Sequence, residues 1–405
     1  MNNTKTLKIN LSHIWIAILI FFSIVPYKIH FLNDVPLYRI MYILTFIFML
    51  ISKKYKTKSF SINNSLKATI FSWLTLAIWG AISFLWITKT GNETNYIIYN
   101  LIWVIASICL SKYMKLDIKK NKILFYYCIT ATILSLMGLY TGITGHYFND
   151  THISYHYNLN MFGLYKPNTI FYNINDNAVF MFSSIVILFL YTEGKKDNLM
   201  RIIGTVLFAS NIILVDSRGI ELALIIFFAI YFISTRSISA KKKMQIFILV
   251  FTLIIIFGNK IINLSIFKSG VSDSARISII NMSLRSLKQT HYLGVGPGNI
   301  STVNSTLNKA ETYDTHNFFL EIFCDYGIIG AIAIIVWYVV LLKTAYKYRK
   351  NERNSSIILA LLISMLCAFV VSSSVIGKSW IACFFGIVVS ILNNIEEKYN
   401  NQRGK

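Results

Sequence analysis

The chain has 405 residues, 55% of them hydrophobic and only 14% charged, with a mean hydropathy of +0.57. Soluble domains carry about 25% charged residues and disordered chains lack this apolar content, so both classes are excluded. The formal net charge of +22 comes from 39 basic and 17 acidic residues, and its distribution along the chain excludes a nucleic-acid footprint.

Taken in chain order, apolar runs of the length that crosses a bilayer, roughly 20 residues each, predict an all-α polytopic membrane protein of about twelve transmembrane helices. They cover approximately 11–25, 37–52, 68–88, 95–111, 123–143, 173–192, 199–215, 219–235, 245–262, 327–342, 355–375 and 379–393. The first run follows Lys5 and Lys8 but lacks a small-x-small cleavage site and meets Pro26, which predicts an uncleaved helix. The five cysteines are odd in number and form no CxxC pair, so no disulfide framework is expected.

With both termini placed in the cytoplasm, the inner segments collect 27 Lys and Arg against 12 on the outer face. Acidic residues divide 6 and 11, leaving net charges of +21 and +1. The positive-inside rule selects this orientation, with anionic lipid heads as contacts of the basic face. Two outer loops are long: 144–172, rich in Tyr, His and Asn, and 263–316. Long loops between helices commonly carry function. The chain reads as one membrane domain, 1–405, with an extracytoplasmic cap.

Six of the seven histidines then face outward, so chemistry is expected in the outer layer. Asp216-Ser217-Arg218-Gly219 lies at an outer helix–helix turn. Its guanidinium could grip a phosphate bidentately, although a salt bridge with Asp216 is the somewhat stronger reading from position alone. In the long loop Arg276, Arg285 and Lys288 precede Gly294-Val-Gly-Pro-Gly-Asn299. A phosphate loop would need a following Lys-Ser/Thr, so this run reads as a tight turn. Ser272-Asp273-Ser274 before Arg276 reads as a helix start. His316 is placed at the mouth of a helix, where a neutral imidazole is suited to general-base work; Asp314 or Glu321 could orient its ring. His152 and His156, at i,i+4, lack a third ligand, so no metal site is expected.

These residues carry a resemblance. His316-Asn317, nine residues, then Gly327-x-x-Gly330 resembles the signature of the O-antigen ligase and O-antigen polymerase superfamily of bacterial membrane glycosyltransferases. Ser217-Arg218-Gly219, Arg276 with the Gly294–Asn299 turn, and Asn177 are similar to further landmarks in the same order. Ala331 departs from the pattern, which has Gly, Thr or Tyr there. The resemblance covers about 170–345.

It implies a C-type glycosyltransferase (GT-C-like) fold with a large extracytoplasmic loop and a donor oligosaccharide on undecaprenyl pyrophosphate. Arg218 and Arg276 would bind the pyrophosphate, and His316 would be the catalytic base. Arg285, Asn177, Asn317 and Glu321 complete the expected substrate-binding set. No cofactor or metal is implied; the partners are lipid-linked donor and acceptor, membrane lipids and a chain-length regulator protein. The expected activity is a metal-independent inverting polymerase of lipid-linked repeat units, for O-antigen, capsule or exopolysaccharide. An O-antigen ligase acting on lipid A-core shares every motif quoted. A flippase or transporter is the alternative from another class, disfavoured by the absence of an internal repeat.

The charge division gives a direct test. In a cysteine-free background, a cysteine placed at position 285 should react with an impermeant reagent from outside, and one at position 119 should not. The reverse pattern would overturn the orientation and the outer-face chemistry with it.

Overall fold

The computed structural model describes residues 11–25, 30–31, 35–51, 61–87, 91, 93–116, 120–148, 159–160, 162–171, 173–192, 197–234, 272–303, 315, 317–371 and 375–403. The helices in order are α1 (Leu11–Ile24), α2 (Leu37–Ile51), α3 (Asn64–Ile82), α4 (Glu93–Leu116), α5 (Lys120–Thr144) and α6 (Ile174–Tyr191). Then come α7 (Asn198–Val215), α8 (Arg218–Ser234), α9 (Ser272–Gln289), α10 (Phe318–Tyr348), α11 (Arg353–Phe369) and α12 (Ser379–Arg403). A two-residue antiparallel pairing, β1 (His30–Phe31) with β2 (Val35–Pro36), interrupts the helical pattern. None of the helices contains one of the four prolines; Pro36 stands just before α2, where its missing N–H costs nothing.

Every predicted span falls on a helix except 245–262, which lies outside the described residues. Among the described residues, seven helices are long and apolar enough to cross a membrane: α3 to α7, α10 and α12. Shorter apolar helices include α2 and α11. The protein is thus an all-helical polytopic membrane protein.

Burial sorts the helices by position. α6 and the apolar stretch of α12 are buried nearly all round, as central helices must be, while the polar end of α12 emerges from the core. α12 packs along α4, α11 along α8, α10 along α3, and α7 against α6. The outward faces carry Phe71, Ile143, Leu199, Ile202, Val206, Ile332 and Ile335, all exposed, which is the surface that lipid covers. Trp73 and Trp103 stack at 4.0 Å and Trp337 meets both rings edge-on, joining α3, α4 and α10. Two of the three indole N–H groups are bonded, Trp103 to the Ile376 carbonyl and Trp337 to Thr69 Oγ1, while that of Trp73 is buried without a hydrogen-bond partner among the described residues.

The two ends of the bundle are cross-linked separately. At one end Glu396 of α12 accepts from the Ser65 N–H and hydroxyl, capping the start of α3, and Asn393 binds Asn63. At the other, Ser379 bonds the Ser23 carbonyl and Trp86 bonds the Gly294 carbonyl. The loops that the charge count assigns to a common face meet at a common end.

α10 begins nine residues before the predicted span 327–342. Its first turns contain Glu321 and Asp325, which lower the hydropathy, yet both are buried. At Gly327 the helix breaks, with φ +64° and ψ −160°, a conformation open to glycine almost alone. A Cβ there would collide with the backbone of Tyr292 and Leu293. Gly327→Ala combines backbone strain with overpacking and should cost about 2–5 kcal/mol. A thermal melt in detergent should show the loss; an unchanged melting temperature would mean the break is not obligatory.

Candidate functional site

The site is sought at the end of the bundle that carries 162–171, 214–218, 290–303 and 375–378, with Thr315 and Asn317. Its framework is the first turn of α6. Asn173 caps this helix by accepting from the Asn175 N–H at 2.8 Å. The next residues each reach a different neighbour. Asn175 Oδ1 accepts from the Ser217 hydroxyl at 2.9 Å, Asp176 pairs with Lys378 at 2.5 Å, and Asn177 Nδ2 donates to the Pro167 carbonyl at 3.1 Å. The Asp176–Lys378 side chains are only 8% and 5% exposed.

Ser217 precedes Arg218, so the Asn175 contact fixes where α8 begins. Asp216 caps the end of α7 in a left-handed conformation (φ 58°, ψ 45°), which Asp tolerates better than most residues. Its carboxylate does not pair with Arg218. Asp216 Oδ2 instead meets Lys166 Nζ at 3.2 Å. The Arg218 side chain is exposed, and among the described residues it forms no hydrogen bond or ion pair. The positional reading of a local salt bridge is therefore corrected: the carboxylate meets a lysine fifty residues away, and the Arg218 guanidinium lies in the field of Glu221. Arg285, on α9, is likewise exposed. α9 starts at Ser272, as the Ser-Asp-Ser run predicts, and carries Arg276 in its first half. The side chain of Arg276 lies outside the described residues, as do His316, His152, His156 and Asp314.

Two other expected ligand contacts turn out to be internal. Asn177 is fully buried and joined to Pro167 and Thr169, so it holds the 166–169 segment rather than facing a ligand. Asn317 is the N-cap of α10: its Oδ1 accepts from the Phe319 and Leu320 N–H groups at 3.0 and 3.2 Å. The Asn317 contact follows from helix geometry: its amide oxygen satisfies N–H groups that have no intrahelical partner at the start of α10. Glu321 is buried one turn into α10, lining a small polar cavity with Tyr96, Ser301, Thr315 and Asp325.

The glycine-rich turn binds an anion, but the anion is part of the chain. Gly298 N–H donates to Asp325 Oδ2 at 2.9 Å and Ile300 N–H to Oδ1 at 3.0 Å. Val295 and Gly296 N–H groups bond the Cys324 and Asp325 carbonyls. The turn is closed by a carboxylate, which confirms the tight-turn reading. Asp176, Lys378, Asp325 and Lys166 were not singled out from the sequence. Their signal was faint: isolated charges in apolar or loop context, whose partners lie far along the chain.

Asp325→Ala would leave two buried N–H groups without an acceptor, at a cost of about 3 kcal/mol or more. Limited proteolysis within 290–303 should accelerate markedly in this variant, and less in Asp325→Asn, which keeps one acceptor. Equal resistance in all three proteins would show the turn is held otherwise.

The comparisons with known proteins agree with the residues. The O-antigen ligase family model (Wzy_C) matches residues 203–335, a stretch that includes Arg218, Arg276, the glycine-rich turn and His316. A teichuronic acid biosynthesis protein, TuaE of Bacillus subtilis (strain 168), is 24% identical over 348 residues, covering 78% of this chain and 70% of its own. Residues 203–335 are thus similar to the O-antigen ligase family, and most of the chain is similar to a protein named for teichuronic acid biosynthesis.

Proposed function

We propose that the chain is a polysaccharide-forming glycosyltransferase. It moves a growing glycan from undecaprenyl pyrophosphate onto the next lipid-linked repeat unit at the outer face of the cytoplasmic membrane. The observation that carries this reading is the exposed Arg218, fixed by Ser217 and Asn175 at a loop end inside the matched stretch. An exposed arginine at a membrane surface suits a phosphate-bearing ligand, because its planar guanidinium can donate two parallel N–H bonds to phosphate oxygens. Similarity to the O-antigen ligase family and a relative named for teichuronic acid biosynthesis support a polysaccharide product. In this reading twelve spans form a C-type glycosyltransferase fold, with both termini cytoplasmic.

The reaction needs two things from the protein. Negative charge builds on the pyrophosphate oxygen as its bond to the anomeric carbon breaks, and Arg218 and Arg276 stabilise it without a metal ion. The acceptor hydroxyl must lose its proton as its oxygen bonds to that carbon, and His316 takes it, a contribution of typically 10²–10⁴-fold. Attack opposite the leaving group inverts the anomeric configuration. Exposed aromatic surface at Tyr140, His146 and Phe148, whose rings lie within 6.1 Å of one another, suits sugar faces.

The ligase is the second reading, favoured by the description of the matching family. One experiment addresses both. Purified protein is given a lipid-pyrophosphate-linked repeat unit alone, then with lipid A-core. A ladder in the first mixture is expected; product only in the second would mean ligase, and no product in either would overturn enzymatic transfer. In the same assay His316→Ala should abolish transfer while donor binding survives. A His316→Ala protein that still makes product would remove the base assignment.

A further inference from the structure

The site contains a further cation that neither the motif nor the family match singles out. Lys166 is held by its neighbours on every side. The Tyr165 N–H bonds the Gly142 carbonyl at 3.0 Å, and the Lys166 carbonyl accepts from the Tyr147 hydroxyl at 3.2 Å. The Pro167 carbonyl accepts from Asn177, and Asn160 Nδ2 reaches across to the Leu214 carbonyl at the end of α7. Thr169 sits at φ 53°, a strained value for a β-branched residue, and its hydroxyl meets Asn177. Such a segment is a mount. What it carries is an ammonium.

The mount delivers Lys166 Nζ to Asp216, two residues from Arg218. Both side chains of this pair are about one-fifth exposed, so water and solutes reach it. Glu221, one turn into α8, interacts electrostatically with Asp216, Arg218 and Lys166 together, which makes the four a single compact cluster. The cluster is neutral at rest. A pair bridging two helix-flanking loops could be a tether and nothing else. The tether reading leaves unexplained why the partner carboxylate stands beside an arginine and yet leaves it unpaired.

We infer that Lys166 is a further pyrophosphate-binding cation beside the two arginines, held by Asp216 until a polyprenyl pyrophosphate takes the carboxylate's place beside Lys166 and Arg218. This rests on the proposed lipid-pyrophosphate donor and adds a residue to its site. No bond is made or broken; one anion replaces another at the ammonium. Lysine is suited to such exchange, being a point charge without a fixed geometry.

The inference gives the two partners opposite signs, and a tether gives them the same sign. The full chain in neutral detergent is titrated with farnesyl pyrophosphate, a short polyprenyl pyrophosphate, and separately with phosphatidylglycerol. Lys166→Met should weaken farnesyl pyrophosphate binding about 10- to 100-fold, the loss expected for one charge-assisted contact. Lys166→Arg should restore most of it. Asp216→Asn preserves a left-handed helix cap and removes the competing charge, so its affinity should rise several-fold. Loss of affinity in both Lys166→Met and Asp216→Asn would identify a structural tether and overturn the inference, as would an unchanged Lys166→Met. Equal response to phosphatidylglycerol would reassign Lys166 to bulk lipid and overturn it too. Arg218→Ala separates the two levels: if it weakens binding while Lys166→Met does not, only Lys166 is wrongly assigned. A wild-type chain that binds no farnesyl pyrophosphate would bring down both this inference and the donor on which it rests.

Discussion

A lysine ammonium and an aspartate carboxylate, Lys378 and Asp176, are buried together where the loop before α12 meets the first turn of α6. Taking two charges out of water is expensive, and removing one partner of such a pair typically costs 3–5 kcal/mol. The arrangement therefore has essentially one low-energy form. It locks the most buried helix of the bundle to the C-terminal pair of helices, and the residues on either side of Asp176 inherit a fixed position. Asn175 then determines where Ser217 sits, and Asn177 where the Pro167 carbonyl sits. Three loops that are distant in sequence are placed by three consecutive side chains.

The landmarks shared with the superfamily divide into two kinds of work. Gly327 and Asn317 are architectural: one permits a break in α10, the other caps its start. The Gly294–Asn299 run has the backbone donors of an anion cradle, already filled by Asp325. Arg218 differs from these, since its exposed head group forms no hydrogen bond among the described residues and has Glu221 as an electrostatic neighbour. A short signature thus mixes residues that shape the site with residues that meet the ligand. Only the hydrogen-bond partners tell them apart.

Much of the architecture was legible in the sequence because the bilayer enforces a simple code. Apolar runs of fixed length mark helices, and basic residues mark one face. The start of α9 was legible for a local reason, the oxygen-bearing side chains at Ser272 to Ser274. The early start of α10 was hidden because Glu321 and Asp325 look like loop residues until their burial against the turn is known. Lys166 was hidden for the same reason at longer range. A single lysine in a Tyr- and Asn-rich loop carries no pattern, and its partner Asp216 stood next to an arginine that offered a nearer match. Local spacing suggests local pairs; the fold chose a pair fifty residues apart.

The break at Gly327 makes α10 a two-part rod. The long inner part packs along α3 and α11, while residues 318–326 are fastened to the turn at 292–300 through Cys324 and Asp325. The part before the break is therefore held from two sides, by this turn and by the helical core, where Phe318 meets Phe369 and the Tyr326 hydroxyl accepts from Asn100. Thr315 and Asn317, which flank His316 in sequence, adjoin that part. A segment clamped from both sides passes any change in the 292–300 turn on to the start of α10, so the loop and the helical core set the position of Thr315 and Asn317 together.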